Sequence, residues 1–381
     1  MAPLIPVSDP LTRRAILRRV PINFLGGTIL AQQYRAPPPA IEAETGRLLK
    51  THSVPGVSLA FVENGAIAWV AAKGVADSDA QRPITLETPF EAASLAKPVF
   101  AYLVLTLCQD KKLTLDTQLG QVLDAAELPA GDQFQRVTVQ QILTHSSGIQ
   151  VEPTKGKSVK FEFAPGSRFL YSPHAFDYLQ RLVEKLTRQP LRTLIKDIVL
   201  RPLNMTGSDF DWTPSFAENR AVGYDAKGGR GRTINERFWR MTASERETVK
   251  TQYPYMNFPN AASSLTTTAS DYARFLLAAL SPVERVPLSQ VWISQMLTPR
   301  ISAGPGVDWG LGFGLLNSAA HGKGFWHWGD WGIFQNFAVG FPQAGIGLVS
   351  LTNGARGQRI NKRVSQLAFR EDLPCFRWLR V

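Results

Sequence analysis

The spacing of apolar positions divides the chain into an outer frame that reads as strands and a middle that reads as helices. Residues 56–62, Gly-Val-Ser-Leu-Ala-Phe-Val, and residues 66–71, Ala-Ile-Ala-Trp-Val-Ala, are strand-like and flank Glu63-Asn64-Gly65. An Asn-Gly pair between two apolar runs is a strong hairpin signal. Near the other end, residues 324–328, 334–340 and 345–351 form three further strand-like runs, and residues 360–369 close as a helix. Residues 41–49 carry Ile41, Leu48 and Leu49 at helical spacing with charges between them.

Between the frames the period changes. Residues 101–108, Ala-Tyr-Leu-Val-Leu-Thr-Leu-Cys, are apolar on every side. A run that short cannot cross a bilayer and reads as a buried core helix. Residues 176–186 and 270–280 are further helices, the second with Ser270 as its expected N-cap. Residues 209–257 are rich in Gly, Arg, Thr and aromatics without period and read as long loops, as do residues 296–308. The expected fold is α+β: an antiparallel sheet of five or more strands, built from both chain ends, flanked by helices and set against a mainly helical second lobe. The strand-bearing lobe covers residues 41–90 and 290–381, and the helical lobe residues 91–289.

Composition supports a sizeable core: 44% of the 381 residues are apolar and 19% are charged. The net charge of +11 is concentrated in residues 1–40 and 355–381. A nucleic-acid groove would place that charge on one face of the folded body, so the excess reads as a property of the tails. Two cysteines and five scattered histidines offer no metal-ligand spacing, and no dinucleotide or phosphate-binding glycine loop is present. No metal, cofactor or nucleic-acid partner is expected. Thr12-Arg13-Arg14 followed by a modest apolar run, Val20 to Ala31, reads as a twin-arginine export signal, with Pro37-Pro38-Pro39 as a linker before a single domain from residue 41. Export to the periplasm or beyond is therefore expected, with a cytoplasmic location as the alternative.

The chemistry is read from three places. Ser94 and Lys97 lie one turn apart at the head of the buried helix, in the chain's one Ser-x-x-Lys. Positions i and i+3 share a helix face, and burial disfavours the charged ammonium, so Lys97 can take the Ser94 proton. Tyr171 follows the Pro165-Gly166 turn and precedes a helix, where a phenol whose pKa a lysine lowers can shuttle a proton. Gly329, in Trp326-His327-Trp328-Gly329-Asp330-Trp331, allows close approach to a strand end. The Asp330 N–H is then free to pair with the Ser94 N–H as an oxyanion hole.

These segments resemble the serine β-lactamase and penicillin-binding-protein superfamily, in particular its class C-like branch of esterases and D-amino-acid peptidases. The resemblance covers about residues 42–370. It rests on Val54-Pro55-Gly56-Val57-Ser58, the Ser94–Lys97 box, Leu143-Thr144-His145-Ser146-Ser147-Gly148, Tyr171-Ser172-Pro173, Ser264–Asp271, Gly310–Gly314 and His327-Trp328-Gly329, all in order. It implies an acyl-enzyme mechanism with Ser94 as nucleophile, Lys97 and Tyr171 as the base pair, and Ser94 and Asp330 N–H groups as oxyanion donors. His327, Trp328 and Gly329 would contact substrate, and His145 would hold a loop. Two departures narrow the activity. Pro173 stands where the family has an asparagine, and proline has no donor. His327 stands where penicillin binders have a lysine that favours a substrate carboxylate. The expectation is an esterase acting on small esters or amides, with Trp326, Trp328 and Trp331 as an aromatic rim. Strand alternation lets at most some of them line a pocket. The alternatives are β-lactam or D-amino-acid peptide cleavage, and a catalytically degenerate binding protein.

Overall fold

The computed structural model describes residues 34–151, 159–252, 257–280 and 286–381. The twin-arginine-like segment lies outside the described residues. The segment expected as a linker does not trail free. Arg35 N–H donates to the Ala68 carbonyl (3.0 Å), and Pro39 opens the helix Pro39–His52, at the position where its missing N–H costs nothing.

The strands are β1 (Gly56–Glu63), β2 (Ala66–Asp77), β3 (Arg82–Pro83), β4 (Phe90–Glu91), β5 (Thr266–Thr267), β6 (Ile301–Gly304), β7 (Val307–Trp309), β8 (Gly314–Ser318), β9 (Gly322–Asp330), β10 (Gln335–Phe341) and β11 (Ile346–Thr352). Nine of them make one antiparallel sheet in the order β3-β2-β1-β11-β10-β9-β8-β7-β6, and β4 and β5 pair separately. Asn64 and Gly65, both at positive φ (52° and 76°), make the turn between β1 and β2. The first and last strands of the frame meet at the centre, where β1 pairs with β11 along its length. Seven of the eight residues of β1 are buried because helices cover both faces. Pro39–His52, Gly357–Phe369 and Pro374–Trp378 lie over one face with Leu48, Phe337, Ile360 and Phe376. On the other face sits the larger core, built around the helices Ala96–Gln109, Ala175–Thr187 and Ala269–Leu280.

The sheet is larger than the five strands that alternation marks. Most of residues 296–308, expected as loop, belongs to a hairpin at its edge, with Ile301 opposite Trp309. Residues 209–257, also expected as loop, contain helices at Pro214–Asn219, Ile234–Arg240 and Ala243–Gln252. All three are short or polar and lack a long apolar stripe. The helix Ala269–Leu280 is capped by Thr268, not Ser270: the Thr268 hydroxyl accepts the Asp271 N–H at 3.1 Å.

Candidate active site

Four segments converge beneath the end of β9. Ser94 sits in a single 3₁₀ turn, Ala93–Leu95, that runs into the helix Ala96–Gln109. That turn is fixed from several sides. Ala92 N–H donates to the Leu265 carbonyl (2.8 Å), Asn336 Nδ2 to the Glu91 carbonyl (2.9 Å), and Tyr272 Oη to the Leu95 carbonyl (3.1 Å). Ala93, at φ 51°, holds a left-handed conformation that a residue with a Cβ adopts only at a cost. Ser94 stays half-buried while its neighbours are buried.

Lys97 has no solvent exposure. Its Nζ donates to Ser94 Oγ at 2.9 Å and to the Ala262 carbonyl at 3.0 Å, and lies 5.0 Å from the centre of the Tyr171 ring. Burial pulls its pKa from 10.5 to about 7, against the opposing charge of Asp177. The amine is thus close to half-neutral at physiological pH.

Tyr171 is half-buried, with its hydroxyl oxygen shielded from solvent. Ser94 lies beside that oxygen without making a hydrogen bond of normal geometry. A lowered phenol pKa was the expectation. Burial instead pushes it above the ordinary 10.0, with the Ser94 contact offsetting part of the rise, so Tyr171 is a neutral phenol. His145 secures the segment: its Nδ1 accepts the Ser172 N–H (3.1 Å), its carbonyl accepts the Leu170 N–H (2.7 Å), and its ring lies against that of Tyr171. Burial, then Lys97, holds His145 neutral.

The strand β9 presses on the nucleophile turn through Gly329. A Cβ there would land 2.0 Å from the Ala92 carbonyl oxygen. The glycine was expected to admit substrate; it first admits the protein's own backbone. Trp331 N–H donates to the Phe334 carbonyl at 3.0 Å, so by antiparallel alternation Asp330, opposite Gln335, belongs to a non-bonded pair. Its N–H points away from β10, on the side where β8 has already ended opposite Trp326. The Asp330 side chain is occupied elsewhere, by the Gly332 N–H and by Gln335 Nε2.

His327 was expected to contact substrate directly, but it is completely buried behind Tyr171, with ring centres 6.1 Å apart. Its Nδ1 donates to the Trp328 carbonyl (2.7 Å), which leaves Nε2 as a lone-pair acceptor without a partner. Burial, reinforced by Lys97, lowers its pKa to about 3, so it is neutral and carries no charge for a substrate carboxylate. Of the three tryptophans expected as an aromatic rim, Trp326 is excluded by its burial. Trp326 is fully buried against Phe337 and Trp378, whereas Trp328 and Trp331 are both half-buried, and the Trp328 ring lies tilted against that of Tyr171 with centres 4.6 Å apart. Sequence reasoning missed Trp309, which touches His145, Tyr171 and His327, and Trp378 of the last helix, which reaches Trp309 and Trp328. It also missed the Ala262 carbonyl, because a backbone acceptor leaves no trace in residue identity.

The Beta-lactamase family model matches residues 41–369. Among curated relatives, Protein flp of Staphylococcus aureus (strain N315) is 26% identical over 198 residues, which are 48% of this chain and 40% of that protein. Esterase EstB of Burkholderia gladioli is 29% identical over 199 residues, 45% of this chain and 50% of that one. The match therefore spans half or less of each relative's length. Among solved structures, EstCE1, described as a hydrolase with promiscuous acyltransferase activity, superposes with a TM-score of 0.73 at 19% identity, covering 86% of this chain and 97% of that one. A class C beta-lactamase gives 0.72 at 20%, with 87% and 97% covered. At these identities the structural likeness establishes the fold.

Proposed function

The chain belongs to the beta-lactamase family of serine hydrolases, and from that premise we propose that it is an esterase, cleaving small neutral esters or amides through an acyl-enzyme on Ser94. The observation that carries the reading is the buried Lys97 amine, 2.9 Å from Ser94 Oγ and with a pKa brought to about 7. A serine hydroxyl is a weak nucleophile until an adjacent base takes its proton.

In this reading neutral Lys97 accepts the Ser94 proton as Oγ attacks the substrate carbonyl carbon. The oxyanion is held by the N–H of Ser94, in the first turn where helical N–H groups lack partners, and by the N–H of Asp330. Collapse breaks the bond to the leaving alcohol, which takes a proton from the Tyr171 hydroxyl, and Lys97 returns the proton to Tyr171. A water then attacks the acyl carbon, giving its proton to the same pair. The acid departs and the Ser94 hydroxyl is restored.

Neutral substrates are favoured because, among the described residues, the groups packed on Tyr171 carry no fixed positive charge besides Lys97 itself. His327 is neutral, and Pro173 offers no side-chain donor. Trp328, half-buried with its ring tilted against that of Tyr171, supplies an apolar wall for the acyl group. A second reading, β-lactam cleavage, draws support from the class C beta-lactamase likeness. The deciding experiment compares turnover of p-nitrophenyl butyrate and nitrocefin by the wild type and Ser94→Ala. Ester turnover with a burst, lost in Ser94→Ala, supports the proposal. Nitrocefin turnover matching or exceeding it replaces the esterase reading with the second one.

A further inference from the structure

Lys97 has two acceptors, and only one of them is the nucleophile. The other, the Ala262 carbonyl, belongs to a segment far away in sequence with no regular structure of its own. Residues 257–264 are nevertheless tied down at almost every polar atom. Ala262 N–H donates to Asn260 Oδ1 at 2.7 Å, and Asn260 Nδ2 donates to Asp177 Oδ1. Asn257 adds bonds from its N–H to Asp177 Oδ1 (3.3 Å) and from its Nδ2 to the Asp177 carbonyl (2.9 Å). One turn further along the same helix, Gln180 accepts the Ala261 N–H (2.8 Å) and donates to the Pro259 carbonyl (2.9 Å).

We propose that Asp177 is a positioning residue for Lys97: through Asn260 it fixes the backbone carbonyl that holds the amine against Ser94. The inference rests on the reading of Lys97 as the base. Asp177 is buried and receives donors from two sides, the 257–260 segment at Oδ1 and His174 Nδ1 (3.1 Å) at Oδ2. A buried carboxylate is costly unless its lone pairs are filled, and here the filling groups are those that shape the Lys97 pocket. The Ala262 carbonyl is the protein acceptor that remains to Lys97 beside Ser94 among the described residues.

The carboxylate also acts through space. Around Lys97, the helix Ala175–Thr187 contributes Asp177, and His174 sits at its start. The Thr144–Ser146 segment contributes His145, β9 contributes His327, and Tyr171 lies across the amine; residues 257–264 bring no titratable side chain. Both of the histidines that Lys97 influences are held neutral, so Asp177, flanked by His174 and Arg181, is the charge that favours the ammonium.

The two roles separate in two variants. Asp177→Asn keeps the shape but removes the charge. Asn260→Ala keeps the charge but cuts the link to Ala262. Labelling of Ser94 by a fluorophosphonate is followed as a function of pH in full-length protein, alongside kcat and KM for p-nitrophenyl butyrate and a thermal melt. In Asp177→Asn the acid limb of labelling moves down by about half a pH unit or more, because Lys97 loses its stabilising partner. In Asn260→Ala the limb stays in place, while kcat falls by about tenfold to a hundredfold with KM little changed, since a misplaced base costs the chemical step. If Asp177→Asn melts below the assay temperature, Asn260→Ala alone decides. Wild-type kcat and labelling in folded Asn260→Ala, or an unmoved limb in folded Asp177→Asn, overturns the proposal. A wild type that neither labels nor hydrolyses overturns instead the reading on which it rests.

Discussion

Gly329 and Ala92 are in contact through backbone alone: the place a side chain on Gly329 would occupy is 2.0 Å from the Ala92 carbonyl oxygen. This contact sets the distance between the end of β9 and the Ser94 turn, and therefore between the two N–H groups proposed as oxyanion donors. Gly329→Ala must push strand and turn apart. The expected result is a fall in kcat/KM for an ester of about a hundredfold or more, the scale of losing one oxyanion donor. Steady-state kinetics with a thermal melt checks it; a folded variant with near-wild-type kcat would remove Asp330 from the site.

Lys97 also leaves a signature in stability. Its folded pKa, about 7, lies below the ordinary 10.5, so between these values the unfolded chain binds a proton that the folded chain does not. Stability from this group therefore rises with pH across that window and is at its lowest below pH 7. Lys97→Met should lose activity and flatten that part of the curve of melting temperature against pH. A Lys97→Met curve parallel to the wild type between pH 7 and 10 contradicts the buried-amine assignment.

Glu91 works in the opposite direction in a different window. It is buried beside Arg220 and Glu236, with the Thr233 hydroxyl donating to it, and burial raises its pKa from 4.5 to about 7. Between pH 4.5 and 7 the folded chain holds a proton that the unfolded chain has released, so this group's contribution falls as pH rises. Glu91→Gln should show less loss of melting temperature from pH 4.5 to 7 than the wild type. An equal loss in both proteins would assign the titration to another group.

The frame of the fold was legible because its signals are local. Asn64-Gly65 marks the β1–β2 turn, and the apolar run from Ala101 marks a helix that is in fact buried on all sides. The Ser94–Lys97 pair was legible for the same reason, since one helical turn brings both ends together. The hairpin at residues 301–309 was not, because its strands are only four and three residues long and the outer one is at most half-buried at the sheet edge. Nor were the clamp from Asp177 to Ala262 and the Glu91–Arg220–Glu236 cluster. Asp177 lies 83 residues from Asn260 and Glu91 is remote in sequence from both Arg220 and Glu236, and their identities suit an ordinary surface equally well. His327 shows a subtler limit: its residue type suggested a substrate contact, and only the Trp328 carbonyl at Nδ1 reveals a neutral ring turned inward.

Tyr171 offers a kinetic test of the neutral phenol. With its pKa above 10.0, it gives no alkaline limb in the ordinary assay range. Tyr171→Phe should lower kcat by about a hundredfold or more, the range for losing an acid–base group, while KM changes little. A wild-type rate that falls away between pH 8 and 9 as Tyr171 ionises would contradict the raised pKa, and a rate that rises there through Tyr171 would mean that it acts as phenolate.

The central claim is that Lys97 makes Ser94 reactive, and intact-protein mass spectrometry reads it most directly. Protein is quenched with acid at short times after mixing with p-nitrophenyl butyrate at pH 8. The account predicts one butyryl adduct, located on Ser94 by peptide mapping, absent in Ser94→Ala and formed far more slowly in folded Lys97→Met. An adduct that appears at the same rate in Lys97→Met, or that maps to another residue, would contradict it.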